Sequence, residues 1–237
     1  MASDVTESET LIKLWAWFET HKKQTIWGAI IVAGAVFVGW FIVNQQEEKR
    51  IASGEALSHI VIPQILTPNA KPATEAYLRV VSRYPDSDAG ARALLMAAVG
   101  LFDEGKYADA QAQFEKFRRD YHDSALLGNA LLGIAACLDA QGKANDAINA
   151  YRDLVDHHPN EPVVLPQAEF ALGRLYEAQS QPATARTFFE KVVTTDPYGS
   201  IGSEAGMRLE ELKLKHPDLV PSTPLPTNGP TFNIQKQ

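Results

Sequence analysis

The chain has 237 residues, 45% of them hydrophobic, and a formal net charge of −7. That much apolar side chain can fill the core of one or two domains, so most of the chain is expected to fold. The acidic balance excludes nucleic acid as a partner class, because affinity for a phosphate backbone rests on Lys and Arg; the single cysteine, Cys137, excludes an internal disulfide and a paired-thiolate metal site.

Residues 1–25 read as a polar amino-terminal segment. Within it Leu11, Leu14, Trp15 and Phe18 recur at helical spacing beside Trp17, a pattern suited to a short helix in the headgroup region ahead of Lys22 and Lys23. From Ile26 to Val43 the chain reads IWGAIIVAGAVFVGWFIV, with no charged side chain. At 1.5 Å per residue that run, with its flanks, matches a hydrocarbon core of about 30 Å, and residues 26–43 are expected to form a transmembrane helix. A cleaved signal peptide fits less well, because the preceding region is long and acidic and no small-x-small site follows directly. Lys13, Lys22 and Lys23 before the span outnumber Lys49 and Arg50 after it, which favours a cytoplasmic amino terminus with the bulk of the chain outside.

Beyond the span, aromatic residues recur at Tyr77, Phe114, Tyr151 and Phe189, spaced by 37, 37 and 38 residues. Four residues before each stands an alanine (Ala73, Ala110, Ala147, Ala185), and eight after each stands Pro85, His122, Pro159 or Pro197. One period in three phases is the mark of a repeat array. Each interval reads as an apolar-periodic stretch, a turn that contains glycine in the second and third units, a second amphipathic stretch and a breaker. The units fall at about 51–87, 88–124, 125–162 and 163–199. The first is degenerate, with Pro63 expected to interrupt its opening helix. Residues 200–216 carry Ile201, Ala205, Leu209 and Leu212 on one face and suit a capping helix. Five prolines crowd residues 217–237, which are expected to form a disordered tail.

Leu172-Gly173-x-x-Tyr176 followed by Ala185, Phe189 and Pro197 resembles the tetratricopeptide repeat. The resemblance implies an all-α solenoid of three to four helix pairs over residues 51–216. The second and third units depart from its pattern with Ala98 and Ala135 at the glycine position.

Catalysis is not expected. The chain has no Gly-rich phosphate loop, paired-His motif or glycine-flanked serine elbow, and no residue pattern calls for a metal or other cofactor. His157-His158 sits at a predicted helix end, where cationic side chains suit free carbonyls and neighbouring residues point to different faces. Function is expected instead on the face of each first helix that turns away from its own second helix. By frame this face carries Arg92, Leu95, Val99 and Phe102, then Asn129, Leu132 and Ala136, then Gln167, Phe170 and Arg174. It reads as an apolar groove rimmed by Arg92 and Arg174 for a hydrophobic segment or partner helix, unless the helix of residues 51–66 or the final helix fills it.

The order of features resembles one family in particular. Trp15-Ala16-Trp17-Phe18-Glu19, a lysine step, a span ending Val38-Gly39-Trp40, then Asn44-Gln45-Gln46 and a helical repeat domain is similar to the bacterial ancillary subunit of the SecYEG translocon. That resemblance implies an inner-membrane protein with a periplasmic repeat domain, and translocon subunits, exported proteins and a periplasmic chaperone as partners. The junctions Tyr84-Pro85-Asp86-Ser87 and Tyr121-His122-Asp123-Ser124 look instead like the repeat ends of the outer-membrane assembly lipoprotein and the Tol-Pal coordinator. A homo-oligomer with a purely structural role is the third reading.

Overall fold

The computed structural model describes residues 17, 20–67 and 73–219. The interfacial helix expected around Leu11 to Phe18 lies outside them except for Trp17, as does the tail from residue 220. The described residues are all-α, in nine helices: α1 (Lys22–Leu66), α2 (Thr74–Arg83), α3 (Asp88–Asp103), α4 (Tyr107–Asp120), α5 (Leu127–Ala140), α6 (Ala144–His157), α7 (Leu165–Ala178), α8 (Pro182–Thr195) and α9 (Ser200–Lys215), with a short 3-10 turn at Pro217–Leu219.

The apolar run and the solenoid share a helix. α1 runs unbroken for 45 residues, roughly 67 Å at 1.5 Å per residue, and is long and apolar enough to cross a membrane. From Ile30 to Arg50 every side chain is exposed; from Ser53 onward α1 turns Ser53 and Leu57 into the repeat core. Pro63 does not interrupt it as expected. The ring removes one backbone bond, but only three helical residues follow, the lost partner is a carbonyl beside exposed His59, and the Thr67 N–H closes the last turn on the Pro63 carbonyl.

The other helices pack on their neighbours in chain order, with added contacts of α1 on α3, α3 on α5 and α7 on α9. This near-one-dimensional stacking is how units too small to bury their own apolar faces share a core. One cluster runs from Leu57 through Leu94, Ala97, Phe117, Ile134, Tyr151 and Leu154 to Leu175; a second, of Phe189, Val192, Ala205, Leu209 and Leu212, closes the end under α9.

In the second, third and fourth units the first helix passes to the second by the same turn. Gly105, Gly142 and Ser180 have φ of 75°, 74° and 58°. In all three the residue's N–H donates three residues back and the next N–H five back: Gly105 to Phe102 and Lys106 to Leu101, Gly142 to Asp139 and Lys143 to Leu138, Ser180 to Glu177 and Gln181 to Tyr176. This left-handed Schellman closure reverses the chain and seats the second helix on the first. The junctions between units are tied as well: the Tyr121 hydroxyl donates to the Pro85 carbonyl, and the Ser87 Oγ caps α3 by accepting from the Gly90 N–H at 3.0 Å.

Candidate protein-binding groove

Seven of the ten residues marked by frame come together. Arg92, Leu95, Val99 and Phe102 of α3 and Asn129, Leu132 and Ala136 of α5 line one open cavity of about 850 Å³. The helix period explains the convergence, since residues three, four and seven apart share a face, and the stacking of α3 on α5 sets the two faces side by side. Gln64 in the final turn of α1 and Thr67 at its C-cap add to the wall. The helix of residues 51–66 therefore borders the cavity without filling it, and α9 packs on α8 and α7.

Its surface is largely apolar and part of it is exposed. Val99 is 50% exposed and Met96 38% exposed, and Phe102 stands edge-on to Tyr107 with ring centroids 5.1 Å apart. Tyr77 also lines it; the phenol donates to the Gln64 Oε1 at 2.8 Å, and burial holds its pKa above the ordinary tyrosine value. Arg92 and Asp103 supply the charge at the edges.

The three residues of the fourth unit lie outside this cavity. Phe170 is folded against Phe189, ring centroids 5.7 Å apart. Arg174, expected as a rim cation, reaches back to Asp139 of the preceding unit at 2.6 Å. Gln167 is exposed, and its Nε2 donates to the Val163 carbonyl at 3.2 Å. The cavity thus ends at the third unit and does not extend into the fourth.

Met96 is one lining residue the frame missed, although it stands four after Arg92 and three before Val99 and so belongs to the same stripe. A second omission is Glu169, which is only 3% exposed. Its carboxylate pairs with Lys191 through Oε1, and Oε2 is buried without a hydrogen-bond partner. Glu169 falls at the frame position of Leu94 and Leu131, so the repeat offered a signal: a carboxylate where leucine is due.

His157 Nδ1 lies 3.0 Å from Asp153 Oδ1 at the end of α6, and among the described residues no cluster of three or more His, Cys, Asp or Glu is arranged to hold a metal. Cys137 is buried, and that burial pushes its thiol up to about 11. Such a thiol is neutral and unreactive at neutral pH.

Solved structures with this arrangement include a tetratricopeptide repeat protein from Parabacteroides merdae (TM-score 0.53, 17% identity, 71% of this chain and 63% of that one). MamA from residue 41 onward, from Desulfovibrio magneticus, gives TM-score 0.52 at 17% identity over 72% and 87% of the two chains. PcrH from Pseudomonas aeruginosa gives 0.47 at 19% over 54% and 94%. At such identities these likenesses concern the fold alone. A search of curated protein sequences finds no match. The tetratricopeptide repeat-like domain profile matches residues 15–216. That match covers most of the chain and coincides with the stacked helix pairs, so this protein belongs to the tetratricopeptide repeat-like family and is a protein-binding scaffold.

Proposed function

We propose that the chain is an inner-membrane scaffold, with its amino terminus in the cytoplasm and its repeat domain in the periplasm, that serves as an ancillary translocon subunit. In this role it receives segments of exported proteins and passes them to a periplasmic chaperone. The observation that carries the proposal is the continuity of α1. The helix that holds the apolar span also supplies Gln64, and at its C-cap Thr67, to the wall of the apolar cavity. A helix cannot bend freely, so the cavity is held at a set height above the bilayer, where an emerging chain passes. About ten residues separate Val43 from the first buried residue, Ser53, roughly 15 Å of exposed helix.

The family match supports this reading in one further respect. It begins at residue 15, ahead of the apolar run, so anchor and repeats are covered by one profile. An uncleaved anchor accords with that. The resemblance of the anchor region to the translocon subunit family supplies the choice of partner.

The test is photo-crosslinking in cells from probes at Trp40 and Phe102, with crosslinked proteins identified by mass spectrometry. Translocon subunits at Trp40, with exported chains or a chaperone at Phe102, are expected. Capture of only outer-membrane assembly components, Tol-Pal components or a second copy at Phe102 would overturn the translocon role. Protease added to intact spheroplasts should digest the repeat domain; complete protection would place it in the cytoplasm and overturn the topology.

A further inference from the structure

The apolar cavity has a neighbour. Arg92 and Leu126 line it, and both also line a second pocket of about 620 Å³ at the junctions between units, where Asp86, Asp88, Asp120 and Asp123 gather. A carboxylate in the first turn of a helix is favoured by the helix dipole, which accounts for Asp88 at the start of α3. It does not account for Asp120. That residue ends α4, where a negative charge faces the negative end of the dipole. The nearby cations offset the cluster only in part, with Arg92 in the pocket and Arg119 beside it set against four carboxylates. Arg119 holds Asp120 at 2.9 Å on the exposed surface. His122 lies 3.2 Å from Asp123. Arg50 of α1, whose field reaches Asp88, is itself bound to Glu47 at 2.7 Å.

Resting on the groove reading above, we propose that cavity and pocket form one binding track, and that its occupant is an apolar polypeptide segment with basic residues at one end. The apolar part lies against Leu95, Met96 and Val99, and the basic end reaches the carboxylates of Asp120 and Asp123. Charge complementarity selects this occupant. An uncharged apolar segment leaves the acidic pocket unused, and an acidic flank is repelled by it. The sense is set by Asp120 and Asp123, which line the second pocket and not the apolar cavity.

The experiment uses the full chain in phosphatidylcholine nanodiscs, whose neutral lipid does not itself attract cationic probes. Three fluorescent peptides share one apolar sequence and end in three lysines, three serines or three glutamates; binding is followed by anisotropy. The lysine probe is expected to bind about tenfold more tightly than the serine probe at low salt, the glutamate probe more weakly than both, and the preference should shrink at high salt. Asp120→Asn with Asp123→Asn should erase the preference and leave the serine probe unchanged, whereas Val99→Asn should weaken all three. A lysine preference that is absent, or that persists in the double Asn variant, overturns the acidic end of the track and leaves the groove standing. Binding of none of the probes, or binding indifferent to Val99→Asn, overturns the groove itself.

Discussion

In the second and third units the first helix turns Leu94 and Leu131 into the core; in the fourth the same frame position holds Glu169. On the outer face the contrast continues. Leu95 and Leu132 line an open cavity, whereas Phe170 in their frame lies against Phe189, and Val99 and Ala136 are matched by Arg174, which is spent on Asp139. The same helix pair, three times over, gives an open surface twice and a closed one once. A repeat dictates where a side chain stands, and the identity of a few side chains decides whether that place is available to a partner.

The contrast can be broken most severely at Glu169. Removing its only ion partner with Lys191→Met leaves a buried carboxylate uncompensated and should cost about 3 kcal/mol in urea unfolding. In a Glu169→Leu background, which restores the residue of the other units, the same change should cost less than about 0.5 kcal/mol, because half-exposed Lys191 then returns to water. Equal losses in the two backgrounds would show that the pair does not matter.

A smaller effect separates the closed outer face from the open one. Phe170→Ala should destabilise by about 2 kcal/mol through the gap left against Phe189. Val99→Asn, at a half-exposed position, should stay within about 0.5 kcal/mol while weakening partner capture. Between these lies Gly133→Ala. A Cβ there would stand 2.5 Å from the Phe114 ring, so a loss of about 1–2 kcal/mol is expected, relieved by Phe114→Leu.

Smaller still is the difference among the three turns. Ser180 alone holds the left-handed conformation with a side chain, so Ser180→Gly should add about 1 kcal/mol in thermal unfolding, and Gly142→Ser should remove a similar amount. Cys137 gives a test of another kind, read against pH. Burial raises its pKa to about 11 from a reference of 9.0. The unfolded chain therefore releases this proton first, and stability should fall as pH rises between those values, by up to about 1.4 kcal/mol per unit. Cys137→Ala should flatten that part of the pH profile.

Much of the architecture was legible before any coordinates. Tyr77, Phe114, Tyr151 and Phe189 marked the period because each must fill the gap between two helices, and a gap repeated in space must be filled by a residue repeated in sequence. The cavity residues of α3 and α5 were legible for a related reason: a helix of known phase has a known outer face. What could not be read was how a side chain is used once it reaches that face. Arg174 looked like a rim cation until Asp139, 35 residues earlier, proved to be within 2.6 Å. Pro63 looked like a helix break, yet its effect depended on how few residues followed and on the exposure of His59 at the freed carbonyl.

The sequence by itself determined the helix pairs, their phase and the apolar run in α1, because these follow from local periodicity and from the solvent each face requires. Only the tertiary structure decided that the apolar run and the first repeat helix are one helix, that the cavity stops short of the fourth unit, and that a carboxylate is buried there. Those depend on which distant side chains meet, and contact between residues tens of positions apart leaves no local mark on the chain.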